Sequence, residues 1–411
     1  MPKDFRLVLL YAIILLDVVV GAAIGPIMPE FVRGLPKPQL WLSLGTALFL
    51  GVQLFAAPVL GKLSDGFGRR PILLVSAVGT LLANCLLLPV RASLYFANRL
   101  SDGFTNGMYA TVRSAITDIS PPENLFKNLG LEGAIISLGF VLGPMVAGTL
   151  LTVAAVPAGE QARYVVGLAV GLAALNIGLT FLLRETHTQR NGVRGAELRA
   201  ELSRAVNVLT IWSRLREKDA DGRLRTIVLM QVALTMSTGY YFYFVPFASL
   251  GPQQMDARAL SYFFMYFGLL SIAINYGFYT FLADRLNKPK TIFWLALASV
   301  PILGAYGLIG ASRPALYVVV TLDCFTISLI QGLLEGLLAQ RTTEADRGEI
   351  FGLNQAVQGL ASFATILVGG ALSVLGLELP FAWFGLCAGA VAWQAWRMLQ
   401  TADLNWNQLL E

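Results

Sequence analysis

"GKLSDGFGRRP", residues 61–71, sets Lys62, Asp65, Arg69 and Arg70 among three glycines, Gly61, Gly66 and Gly68. Apolar runs flank it on both sides, each about 20 residues long, enough to cross ~30 Å of hydrocarbon as a helix. The stretch therefore reads as a turn between two membrane crossings. The rest of the chain repeats that pattern. Of its 411 residues 56% are apolar and 13% charged, where a soluble domain carries roughly 25% charge. Twelve apolar segments are read, at about 6–29, 40–61, 71–90, 93–115, 127–153, 163–183, 224–248, 258–282, 291–310, 314–338, 349–374 and 379–399. Each must satisfy its backbone polar groups within itself, so each is expected to be a helix. The fold class is an all-α polytopic membrane protein.

The N-terminal run carries Asp17, lacks a small-residue cleavage site and continues to Met28, so it is expected to be a retained first span rather than a signal peptide. Cys85, Cys324 and Cys387 fall inside spans without metal or disulfide spacing and read as packing residues. His187, the single histidine, lies in a polar loop and reads as solvated. Lysine and arginine number 22 across the N-terminus, the even-numbered connections and the C-terminus, against six on the other side. By the positive-inside bias both termini are expected in the cytoplasm, and the net charge of +5 calls for no nucleic-acid partner.

Residues 184–223 are rich in charge and divide the spans six and six, giving expected domains of 1–183, a linker of 184–223, and 224–411. Within the linker Leu198, Leu202, Ala205, Leu209, Trp212 and Leu215 recur at helical spacing, as in a helix lying along the membrane face. The halves echo one another. "SLYFANRLSDGF" (93–104) aligns with "ALYVVVTLDCFT" (315–326), the same offset sets Gly148 over Gly370, and Asp65 has a counterpart in Asp284. Internal repeats of this kind are characteristic of secondary transporters, whose substrate sites lie near the bilayer midplane.

Physically, Gly61 and Gly66 permit a tight turn and close helix contact. Asp65 can face a helix N-terminus or an arginine, and Arg69 and Arg70 offer partners to carboxylates. "GKLSDGFGRRP" resembles the loop 2–3 signature of the major facilitator superfamily. "LLDVVVGAAIGPIMP" (15–29) resembles the first span of the twelve-span drug:proton antiporters, in particular the tetracycline-efflux-like branch. "NRLSDG" (98–103) is similar to their span 4 motif, with Asp102 where glutamine is usual. "AITDIS" (115–120) is similar to the end of that span, and "GFVLGPMVAG" (139–148) resembles the span 5 antiporter motif. The resemblance implies twelve transmembrane helices in two pseudo-symmetric six-helix bundles. It implies that Gly61, Asp65, Gly68, Arg69, Arg70 and Asp118 build a cytoplasmic gate that stabilises the outward-facing state. Gly139, Gly143, Pro144 and Gly148 would shape a bend in span 5 at the interface of the halves. It also implies the bacterial inner membrane and a monomer.

An ionisable residue at the bilayer centre costs roughly 2.5–3.5 kcal/mol on insertion scales, so each is a functional candidate. Asp17 in span 1 and Asp102 in span 4 fall at similar depth. Arg99, one turn from Asp102, stays protonated and can hold either carboxylate ionised. Asp323 in span 10 occupies the repeat-equivalent depth to Ser101. Glu132 reads as a proton or cation acceptor or as an ion pair with Arg113. The structural alternative for Asp17, Arg99 and Asp102 is a permanent pair fastening span 1 to span 4. Spans 7 and 8 are aromatic, with Tyr240 and Tyr241 as pocket candidates. Gln231, Asn275, Gln331, Asn354 and Gln358 add neutral hydrogen-bonding groups suited to an amphipathic ligand.

These features point to a proton-coupled exporter of lipophilic, drug-like compounds, its partners being a small-molecule substrate, protons and the lipid bilayer. The alternative on the same fold is a symporter or exporter of a native metabolite, lipid or organic anion, which Arg99 favours. A non-transporting sensor is a third reading. No nucleophile–base set, metal set or phosphate loop is present, so neither an enzyme nor a cofactor or metal is expected.

Overall fold

The computed structural model describes residues 5–187, 192, 195, 198, 207–219, 222–281, 286–342 and 347–400. Its regular elements are helical throughout the described residues. Asp284, Leu202 and Ala205 lie outside them. Nine helices among the described residues are long and apolar enough to cross a membrane by length and composition. The other three expected spans coincide with helices that fall short of that standard for visible reasons. One has only 17 residues, one is broken in its middle, and one carries Trp383, Trp393, Gln394 and Trp396 within its 22 residues.

Contacts group the chain into two compact units. The first holds the residues up to Val206 with Ala248–Leu250 and Gln254–Gly268; the second holds Asn207–Phe247, Gly251–Gln253 and Leu269 onward.

In the first unit α1 (Phe5–Ile24) is apolar except for its charged residues Arg6 and Asp17, and continues through a tight turn into α2 (Met28–Val32). α3 (Pro38–Phe67) and α4 (Arg69–Cys85) meet at Gly68. The fourth expected span is two helices, α5 (Ala92–Thr105) and α6 (Met108–Ile119), separated at Asn106–Gly107. A methyl group added at Gly107 would lie 2.9 Å from backbone atoms of Ala56 and Ala57, so the break is where two main chains touch. α7 (Pro122–Val153) runs unbroken through Pro144, and α8 (Gln161–Leu182) closes this part of the unit. α1 packs on α7 and α8 through a core that includes Leu10, Ile14, Val18, Val112 and Ile116.

In the second unit α9 (Val208–Glu217) is capped by Asn207, whose side chain accepts the Thr210 N–H at 3.1 Å. The helix expected to lie along the membrane face instead buries Ile211 and Leu215 in the core of this unit, with Trp212 packed against it. Arg214 and Lys218 pair with Glu349 across that contact. There follow α10 (Arg223–Ser237), then α11 (Tyr240–Leu250) and α12 (Ala257–Phe281), whose residues 248–250 and 257–268 belong to the first unit, and α13 (Lys288–Ala305), α14 (Arg313–Gln340), α15 (Arg347–Ser373) and α16 (Leu379–Gln400). Asp219 joins α9 to α10 by accepting the N–H groups of Leu224 and Arg225 and the Arg225 side chain at 2.7 Å.

Candidate functional site

The 61–70 turn is organised around one side chain. α3 runs through both Gly61 and Gly66, so neither makes the turn expected of them. A methyl at Gly61 would only touch Ala110 at an ordinary 3.7 Å. Gly68 makes the turn, at φ 103° and ψ 155°, a backbone region closed to other residues, and its N–H caps Ser64 at 3.1 Å. The sharp reversal drops Arg69 inward to 4% exposure. Its guanidinium donates to Asp118 at 2.9 Å, to the Ser64 hydroxyl at 2.7 Å and to Asp65. Burial works against that charge, and the hydrogen bonds to Asp118 and Asp65 outweigh it, holding Arg69 above the usual arginine range. Arg70 turns the other way and donates to the carbonyl of Phe181, near the negative end of α8.

Two members of this cluster were not read as part of it in the sequence. Glu185 accepts the main-chain N–H groups of Arg69, Thr186 and His187, tying the start of α4 to the segment after α8. His187, read as solvated, sits with its Nδ1 3.7 Å from Asp118 and three-quarters covered. Their only sequence signal is position, just past the end of an apolar run, where charged residues are common.

The second cluster lies at the break between α5 and α6. Asp17 is 4% exposed, and the Tyr109 hydroxyl donates to it at 3.3 Å. Tyr109 reaches this point because α6 restarts only one residue earlier, at Met108. The break itself is braced by Gln53, which donates to the Asn106 side chain at 2.7 Å. Arg99 had two possible partners, and it takes Asp102 at 3.4 Å rather than Asp17. Its guanidinium lies over the rings of Phe49 and Tyr95, 5.5 and 5.9 Å from their centres. It also donates to Asn98 at 2.8 Å, and Asn98, fully buried, donates in turn to the Ala83 carbonyl at 2.8 Å. Asn98 and Tyr109 therefore orient the two charged groups, and sequence reasoning had passed over both. Asp17 and Asp102 remain within electrostatic reach of each other.

The span 5 glycines serve this cluster directly. Gly139 and Gly143 were expected at the interface of the halves, and the structure turns them onto α1. Added methyls would meet Val18 and the Val19 carbonyl at 2.7 Å, on the stretch of α1 immediately after Asp17. Gly148 faces Ser261, within the first unit. Farther along α7, Glu132 is 1% exposed and pairs with Arg113 at 3.2 Å, as one of the two sequence readings anticipated. Past the C-terminus of α7, Arg258 donates to the carbonyls of Leu151 and Val156 at 2.8 and 2.7 Å. Gln161 there links the Arg258 N–H to Asp256.

The second unit holds a different kind of site. Asp323 is fully buried in α14 and accepts the Tyr306 hydroxyl at 3.0 Å. Tyr240, Phe244, Phe247, Phe381 and Phe384 pack their rings around Tyr306 and one another. Tyr240 is thus core, Tyr241 half-buried, and Phe242 exposed on the outer face of α11. Gln231 on α10 and Asn354 on α15 are buried on helices that pack together, each with an unpartnered side-chain oxygen. Asn275 bonds within its own helix to Ser271, Gln358 is half-buried, and Gln331 is exposed and donates to Glu335.

The family model of the Major Facilitator Superfamily matches residues 8–365. The chain is 34% identical over 193 residues to the class C tetracycline resistance protein of Escherichia coli, covering 46% of this chain and 47% of that protein. It is 32% identical to the class H tetracycline resistance protein of Pasteurella multocida, covering 36% of this chain and 38% of that one. The chain thus spans less than half the length of these curated relatives. Over 84% of its length it is 25% identical to human solute carrier family 67 member A1, of which it covers 81%. Among solved structures, the human organic anion transporter MFSD10 (TETRAN) superposes with TM-score 0.64 at 19% identity, covering 96% of this chain and 100% of that one. An auto-inhibited POT family peptide transporter superposes with TM-score 0.72 at 11% identity, over 98% and 97%.

Proposed function

Because the chain belongs to the Major Facilitator Superfamily and is a membrane transporter rather than an enzyme, we propose that it is a proton-coupled exporter of lipophilic, drug-like compounds. The observation that carries this reading is the division of labour at the α5–α6 break. Asp102 has a permanent counter-charge in Arg99, while Asp17 has a tyrosine hydroxyl and no paired cation among the described residues. A carboxylate paired with arginine is biased toward its charged form; one held only by hydroxyls in hydrocarbon gains or loses a proton as its surroundings change. Asp17 is then the group that exchanges the proton. Tyr109 donates to it when ionised and accepts from it when protonated. Substrate entering beside Arg99, Phe49 and Tyr95 competes with that proton through the charge shared by the two aspartates. Gly139 and Gly143 let α7 follow α1 closely, so a shift of α1 on protonation is passed to a long helix.

Alternating access follows the proposed organisation of twelve helices in two pseudo-symmetric bundles, 1–183 and 224–411, joined by the 184–223 linker. The 61–70 cluster acts as the cytoplasmic gate, with both termini in the cytoplasm, in a bacterial inner membrane and as a monomer. The cargo has a second reading, an amphipathic organic anion. It is favoured by Arg99, whose cation lies between two rings and offers both charge and an apolar face.

Inverted membrane vesicles acidified inside, with a pH-sensitive dye in the lumen, test the proposal. Lipophilic drugs including a tetracycline are expected to trigger proton release in wild type and not in Asp17→Asn. If organic anions trigger it and lipophilic cations and tetracycline do not, the second reading replaces the first. Release unchanged in Asp17→Asn refutes the assigned role of that carboxyl.

A further inference from the structure

We propose that Asp323, with Tyr306 and Tyr240, forms a second proton-binding site, within the second unit. Asp323 Oδ2 accepts the Tyr306 hydroxyl at 3.0 Å, while its other oxygen, Oδ1, is buried with no hydrogen-bond partner. The Tyr240 hydroxyl is a hydrogen-bonding neighbour of the same carboxyl, yet by strict distance and angle it too is buried without a partner. Two buried oxygens without a formed hydrogen bond thus lie beside each other.

The surroundings exclude the usual remedies. Asp323 is 0% exposed, so bulk water does not solvate it. α14 is continuous from Arg313 to Gln340, so its main-chain N–H groups are engaged within the helix. The polar or titratable groups that face the carboxyl from the packed elements are Tyr240 and Tyr241 of α11, Tyr306 after α13, and Cys324 beside it. None carries positive charge, and no lysine, arginine or histidine among the described residues pairs with Asp323. The wall beyond is aromatic, with Tyr306 stacked on Phe381 at 4.4 Å between ring centres and Phe244 edge-on at 5.5 Å.

A hydrogen bond donated by Tyr240 would serve Oδ1 but leave the negative charge without a counter-ion, whereas one proton answers both. Placed on Oδ1, it cancels the charge and supplies an O–H donor, for which the Tyr240 oxygen is the available acceptor, while Oδ2 keeps its bond from Tyr306. Loosening the ring cage would admit water and stabilise the ionised form, so the proton is released when the cage opens. The site needs neither Asp17 nor any drug.

Infrared difference spectroscopy of the purified full chain, titrated across neutral pH without substrate, tests it. Wild type and Asp17→Asn are expected to show a protonated-carboxyl band at neutral pH, and Asp323→Asn to lose one carboxyl's share of it. Tyr306→Phe, which keeps the ring and removes one hydrogen bond to the C=O, is expected to move that band to higher frequency, so the assignment does not hang on one variant. Two outcomes overturn the proposal: a neutral-pH band indifferent to both changes at residues 323 and 306, or a band abolished by sodium or potassium at fixed pH, which would make this a metal-cation site.

Discussion

Asp102, in the last turn of α5 in the first unit, and Asp323, in the middle of α14 in the second, are both largely out of water, and they are solvated by opposite means. Asp102 has a cation one turn away, and that cation is itself propped by Asn98 and two aromatic rings. Asp323 has tyrosine hydroxyls and a cage of rings. The helices carrying them differ in the same sense. The first is broken at Asn106–Gly107, which brings Tyr109 to Asp17; its repeat counterpart α14 is one uninterrupted helix. The contrast teaches that depth in a span identifies an exceptional residue, while its neighbours determine what it can do.

Four experiments break or sharpen that contrast. The largest effect is expected from Asp102→Leu, which leaves Arg99 buried without its carboxylate, at a cost of about 3–5 kcal/mol. The double change Arg99→Met/Asp102→Leu should recover most of it, measured as unfolding free energy by steric trapping in bicelles; equal losses would mean the pair contributes no coupling. Next, Asp17→Asn is expected to slow proton-coupled efflux roughly 100-fold, about 2.7 kcal/mol, with folding intact. Gly68→Ala forces a methyl-bearing residue to φ 103° and should cost about 1–2 kcal/mol, with trypsin or thiol labelling reporting a looser 61–70 turn. If labelling does not change, Arg69 is held by its partners alone and not by the turn. The smallest effect is expected from Tyr306→Phe, about 1 kcal/mol of stability for one hydrogen bond. A loss as large as that of Asp102→Leu would show that Asp323 is ionised and that the two sites are of one kind.

Much of the architecture was legible in advance because the bilayer is a strict solvent. Spans of about 20 residues follow from its thickness, and a charge inside one is costly enough to be noticed. Asp17, Arg99, Asp102 and Asp323 were therefore visible as candidates. The Arg113–Glu132 pair was legible too, from complementary charges placed near the same ends of neighbouring spans. The amphipathic linker helix shows the opposite case. Its apolar stripe was plain, but a stripe does not say what covers it, and Ile211 and Leu215 turn to protein rather than to lipid.

By itself, the sequence determined that this protein is helical, lives in a membrane, repeats internally and carries a charged turn at 61–70, since composition and periodicity answer to the solvent. Tertiary structure alone decided that Gly68 makes the turn, that Arg99 takes Asp102 and leaves Asp17 to Tyr109, that Gly139 and Gly143 face α1, and that Asp323 is caged by rings. Pairing and close approach depend on which helix faces come together in space, and residues 92 positions apart, such as Asp17 and Tyr109, leave no local trace of meeting.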